Sequence, residues 1–151
     1  MKKIKAEDVV LTAAGLLVLL YMYTAVSKVL EYEKFVFQMR LAPVAIFGII
    51  APVLGVVVPL VELTIVWLLC KDRYRLTGFY ASFVLLLIFE VYISVMLLSG
   101  DKLPCTCGGI ISQMGWKTHL VFNGVFIAVS IAPVLFSRNK NIHRNVAKLR
   151  E

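Results

Sequence analysis

Charge is what this chain has least of. Asp, Glu, Lys and Arg make up 17% of its 151 residues, where a soluble domain carries about 25%. It also has no Gly-rich phosphate loop, no nucleotide fingerprint and no hydrolase triad, so nucleotide-dependent and triad-hydrolase chemistry are excluded as readings. No internal repeat and no low-complexity segment is present, which leaves neither a solenoid nor a tethered linker architecture. Cysteine and histidine are few, at three and two residues, so any thiol or imidazole chemistry has to be assigned to particular positions.

What is abundant is hydrocarbon. Hydrophobic residues reach 60%, against about 45–50% in soluble domains, and they fall into runs of about 20 residues, each long enough to cross about 30 Å of hydrocarbon as a helix. The fold class expected is an all-α, integral membrane four-helix bundle, with residues 1–151 forming one domain and the lipid bilayer as the first partner. The net charge of +7 does not call for nucleic acid, because the basic residues sit at the ends of apolar runs, where membrane topology sorts them.

The first span is expected at about 9–30. Ala25-Val26-Ser27 resembles a signal-peptide cleavage site, but the long run ending in Tyr21, Met22 and Tyr23 favours an uncleaved span. Tyr21, Thr24 and Lys28 share one helix face, a polar stripe suited to a bundle interior. Glu31 to Arg40 is mixed in polarity, with Tyr32, Phe35 and Phe37, and suits an interfacial turn or short amphipathic helix. The run from Leu41 to Cys70 would be about 45 Å long as a helix, too long for one upright span. Pro43, Gly48 and Pro52 offer breaks, so a short interfacial or re-entrant piece is expected at about 41–50 and the second span at about 51–70. Pro59 precedes Glu62 inside it and predicts a kink nearby. A third span at about 76–98 carries Glu90 on the face of Ser82, Leu86 and Ser94. The fourth, at about 118–136, aligns His119, Asn123 and Ser130, and residues 137–151 form a basic tail.

Four spans put the N-terminus, the 71–75 loop and the tail on one side. Eleven Lys and Arg fall there and five on the other, so the positive-inside rule predicts both termini in the cytoplasm and the 99–117 loop in the periplasm of a bacterial inner membrane. With that topology Glu62, Glu90 and Tyr21 lie about 15, 12 and 14 Å below the outer ends of their spans, a proton relay or polar floor for which Lys28 is the candidate partner, or else a pair of protonated acids hydrogen-bonded between helices. Acids at such depth face the bundle interior or a partner. Cys70, at the cytoplasmic end of the second span, reads as a small packing residue.

The outer loop holds Leu-Pro-Cys-Thr-Cys-Gly-Gly, with Cys105 and Cys107. Thiols one residue apart close a disulfide only in a tight turn, with Cα atoms within about 7 Å, and such a bond is strained and exchangeable. Pro104 fixes the chain before the pair, and Gly108 and Gly109 admit the dihedrals that follow. His119, at the start of the last span, is the candidate to assist thiolate formation, and Asn123 lies beside it at i+4. The catalytic set expected is Cys105, Cys107 and His119, while Asn123, Trp116, Glu62, Glu90, Tyr21 and Lys28 are candidate binding residues, with a quinone as candidate cofactor. Interfacial anchoring is the competing role for Trp116 and His119. Cys105, Cys107 and His119 with Met114 or Asp101 would also make a soft-ligand set for copper(I) or zinc, although one intervening residue is a short spacing for zinc. Haem between two histidines is disfavoured, since His143 lies on the side opposite His119.

Taken together, Ser27, Lys28, Glu31 and Phe35, the Val-Pro-Leu-Val-Glu-Leu element with Pro59 and Glu62, and Cys-Thr-Cys-Gly-Gly before a last span resemble the MauE branch of the DoxX-like membrane proteins. The resemblance implies a compact four-helix membrane bundle associated with methylamine utilisation and with maturation of the disulfide-rich methylamine dehydrogenase. It also implies redox chemistry, by comparison with the DsbB and vitamin K epoxide reductase types, which use a Cys-X-X-Cys pair beside a quinone and usually a second cysteine pair. This chain has Cys-X-Cys and no second periplasmic pair, so a thioredoxin-like partner would carry electrons between it and exported substrates. A noncatalytic maturation partner, with the loop as its docking element, is the alternative function class, and copper handling is a third.

Overall fold

The structure is a computed structural model that describes residues 6–41, 45–98 and 116–148. Within these residues the chain forms five helices, α1 (Ala6–Leu30), α2 (Tyr32–Arg40), α3 (Ala45–Cys70), α4 (Arg75–Leu98) and α5 (Trp116–Lys148). Four of them contain stretches long and apolar enough to cross a membrane, Glu7–Leu30, Gly48–Cys70, Arg75–Leu98 and Lys117–Leu135. Their outer surfaces are apolar, with Leu19, Val29, Ile49, Val91, Leu98 and Val121 all exposed, while Lys28, Glu62, Ser82, Asn123 and Ser130 are buried. That inversion of the water-soluble pattern identifies lipid as the solvent of the bundle.

Local chemistry favours each helix end. Glu7 and Asp8 stand in the first turn of α1 and Lys28 in its last, matching the helix dipole at both ends. The chain then passes almost directly into α2, with Glu31 N–H donating to the Ser27 carbonyl at 2.9 Å and Phe35 N–H to the Glu31 carbonyl at 3.0 Å. The turn between α3 and α4 is closed by Tyr74 N–H on the Lys71 carbonyl at 3.0 Å and by Arg75 Nε on the Leu69 carbonyl at 3.1 Å. Arg75 also pairs with Asp72, and Trp67 stacks on Tyr74 with ring centroids 5.8 Å apart.

α1 packs on α3 and α5, and α4 packs on α5 and α3. Ala13, Ala14, Leu17 and Tyr21 of α1 meet Ile65 and Leu69 of α3 and Phe79 and Leu86 of α4 in the main core. α2 buries Phe35, Val36 and Met39 against Ala51, Leu54 and Tyr92. The Tyr32 hydroxyl donates to the Pro52 carbonyl at 3.1 Å, and its ring lies where a Cβ on residue 55 would stand, 2.5 Å from the nearest ring carbon. Gly55 is therefore what lets α2 lie close on α3.

The short element before the second span is α2, and the separate interfacial or re-entrant piece expected at 41–50 is not formed: α3 begins at Ala45 and continues through Pro52 and Pro59. Each proline removes one donor within the helix, but flanking helices and local adjustment tolerate this in a spanning helix. The segment 42–44, which contains Pro43, lies outside the described residues. α5 continues to Lys148, so helical backbone extends well into the basic tail.

Candidate functional site

The polar stripe of α1 faces the polar positions of α3. Three and four residues apart, Tyr21, Thr24 and Lys28 project along one side of the helix, and Glu62 receives them. Lys28 Nζ stands 2.7 Å from Glu62 Oε1, with the Lys28 and Glu62 side chains 5% and 1% exposed. Thr24 Oγ1 donates to the same oxygen at 3.1 Å, and Lys28 Nζ also reaches the Thr24 carbonyl at 3.5 Å. The Lys28 ammonium lies 5.6 Å from the centroid of the Phe89 ring, within cation–π range. Tyr21 crosses to α4, where its hydroxyl donates to the Ser82 carbonyl at 3.2 Å. A charge pair at this depth is stable only when the remaining groups of both partners are satisfied. Among the described residues, Glu62 Oε1 has two donors, whereas Glu62 Oε2 is buried with no hydrogen-bond partner.

A second polar link joins α4 and α5. Asn123 Nδ2 donates to the Leu86 carbonyl at 2.9 Å and to Glu90 Oε2 at 2.7 Å. Two acceptors of this kind fix the amide orientation, and they occupy both N–H groups. Asn123 thus holds Glu90 and has no amide hydrogen left for a bound group. His119 is buried one turn earlier on the same face, and Ser130 donates to the Ile127 carbonyl at 2.7 Å further along it.

These elements enclose a cavity lined on its polar side by Tyr21, Thr24, Lys28, Glu62, His119 and Asn123. Phe35, Phe89, Tyr92 and Phe122 contribute aromatic walls. The space open to the centres of water molecules is about 50 Å³, several times the roughly 10–15 Å³ that one water requires and far below the roughly 300 Å³ at which small-molecule pockets begin. The lining residues come from the later parts of α1 and α4 and the first turns of α5, with Glu62 from α3 and Phe35 and Met39 from α2. This is the half of the bundle to which the 99–115 connection is attached.

Of the residues singled out from sequence, Tyr21, Lys28, Glu62, His119 and Asn123 line this one cavity, and Glu90 is held just behind it by Asn123. Cys105 and Cys107 lie outside the described residues, as do Asp101, Met114 and the side chain of Trp116. Cys70 is an exposed free thiol at the end of α3, so it does not serve as a packing residue of the bundle. The aromatic walls and the α2 contribution of Phe35 and Met39 were not assigned from sequence. The mixed polarity of 31–40 suits an interfacial turn or short amphipathic helix but does not say what that element packs on.

Fold and site define a multispan helical membrane protein with a polar, charge-paired cavity inside an apolar bundle. The family described as methylamine utilisation protein MauE matches residues 6–136, and the chain belongs to that family. No curated protein and no solved structure matches the chain.

Proposed function

We propose that this chain is a thiol–disulfide redox protein of the bacterial inner membrane that serves methylamine utilisation, the process for which its family is described. Residues 1–151 act as one domain, with both termini in the cytoplasm and the Cys105–Cys107 loop in the periplasm. The excess of Lys and Arg on the 1–5, 71–75 and 138–150 side supports this orientation. The partner is a periplasmic thioredoxin-like or disulfide-containing exported protein.

The observation that carries the reading is the shared cavity. His119, four residues past the loop that bears the two thiols, lines the same buried space as the Lys28–Glu62 pair. We assign the His119 imidazole the role of raising the thiolate fraction of Cys105 or Cys107. The thiolate of Cys105 or Cys107 attacks a partner disulfide, forming a mixed disulfide and releasing one partner thiolate. The second cysteine then attacks the mixed disulfide, closing the Cys105–Cys107 bond and releasing the other partner thiolate. Two electrons and two protons pass from this pair to the partner, and the same steps run in reverse when the partner is the reductant.

A quinone, the group implied by likeness to four-helix disulfide-forming enzymes, would find no donor at Asn123 in this cavity, since both amide hydrogens are spent on Leu86 and Glu90.

Cys105→Ser and Cys107→Ser test the reading directly. Each single replacement should abolish net two-electron transfer to the partner and leave the bundle folded, and the variant that keeps the attacking thiol should be trapped as a mixed disulfide. A docking loop without redox chemistry would tolerate at least one of them.

A further inference from the structure

We propose that the cavity around Glu62 is a hydrated proton-binding site, in which internal water hydrogen-bonds to Glu62 Oε2 and Glu62 takes up and releases a proton through that water. The inference goes beyond the thiol reading and does not depend on it.

Three observations carry it. Glu62 is 1% exposed, and among the described residues Oε2 has no donor while Oε1 has two. A buried carboxylate oxygen in a bundle surrounded by lipid is costly without one. Glu62 lines a cavity with room for several waters, about 50 Å³ against the roughly 10–15 Å³ that each needs. The wall also offers the further polar contacts a buried water requires. Lys28 Nζ has three N–H groups, of which two face Glu62 and Thr24, and the Tyr21 hydroxyl, which donates to Ser82, keeps lone pairs to accept with.

Among the described residues, the ionisable groups that line the cavity with Glu62 are Lys28 and Tyr21 on α1, Tyr92 on α4 and His119 on α5, with Glu90 behind Asn123; α2 contributes Phe35 and Met39 to the cavity wall. Proton uptake converts the Glu62 carboxylate to the neutral acid at Oε2. Lys28 keeps its charge, so the site goes from net zero to net positive. Water at the 99–115 end of the bundle is the proton source and sink.

The test is pH-difference infrared spectroscopy on the full chain in lipid nanodiscs, in H2O and D2O. Wild type should show a carboxylic-acid C=O band that grows on acidification and shifts in D2O. The band should be lost in Glu62→Gln and retained in Glu90→Gln. Because Glu62→Gln leaves Lys28 unpaired and is prone to misfold, the Lys28→Met, Glu62→Gln double variant is measured as well, and it should lack the band too. A band that survives in the double variant, that is missing from wild type, or that does not shift in D2O overturns the proposal. The cysteines take no part, so a failure of the thiol chemistry leaves this result unaffected.

Discussion

Removing Lys28 alone should damage this protein more than removing the whole ion pair. Lys28→Met takes away the ammonium 2.7 Å from Glu62 Oε1 and leaves a 1% exposed side chain with Thr24 as its remaining donor. Breaking one side of a buried pair costs about 3–5 kcal/mol, or about two to nearly four powers of ten in the folded-to-unfolded ratio. Glu62→Gln strands the ammonium instead and should cost a similar amount. The double variant leaves no uncompensated charge and replaces the pair with a methionine and an amide that Thr24 can still reach. Such neutral replacements are often no worse than the original pair, and some are better by about 1–4 kcal/mol. Reversible unfolding of all four proteins in the same detergent gives a double-mutant cycle. The expected coupling is at least about 3 kcal/mol in favour of the pair. Single variants that each lose less than about 1 kcal/mol, the range of exposed pairs, would refute the burial argument.

Three further outcomes follow from the same geometry. Gly55→Ala places a methyl 2.5 Å from the Tyr32 ring and 3.1 Å from Val36; it should cost about 1–3 kcal/mol by overpacking and speed proteolysis around α2, whereas Gly15→Ala, with nothing within 4 Å, should be neutral or stabilise by up to about 1 kcal/mol through helix propensity. Asn123→Ala strips the donor from the Leu86 carbonyl and Glu90 and should lower stability by about 1–3 kcal/mol, read in the same unfolding assay. Cys70 is exposed at the end of α3, so in a Cys105→Ser, Cys107→Ser background a membrane-impermeant maleimide should label it only after the cytoplasmic face is opened; labelling of that variant in intact cells would reverse the proposed topology.

The spans could be read from the chain because each is a local property, a run of apolar residues of bilayer length. Glu7–Leu30, Gly48–Cys70, Arg75–Leu98 and Lys117–Leu135 lie within three residues of the spans expected. The start of α3 was misread because Gly48 and Pro52 were weighed as they would be in water. Inside a bundle, a helix can lose a donor at Pro52 and still continue. The stripe of Tyr21, Thr24 and Lys28 was legible from spacing, and so was Glu62 as a buried acid with Lys28 as its candidate partner. Helix rotation and depth were not legible. They decide that Tyr21 reaches the Ser82 carbonyl, that Asn123 spends its amide on Glu90, and that Phe35 and Met39 of α2 close the cavity.

The account stands or falls on whether Cys105 and Cys107 form an exchangeable pair, and mass-shift thiol labelling of membranes equilibrated in graded redox buffers measures this. The account predicts a reversible two-electron transition with a midpoint well above about −300 mV, the region of exchangeable rather than structural disulfides. Thiols that stay unpaired across the whole series would contradict it.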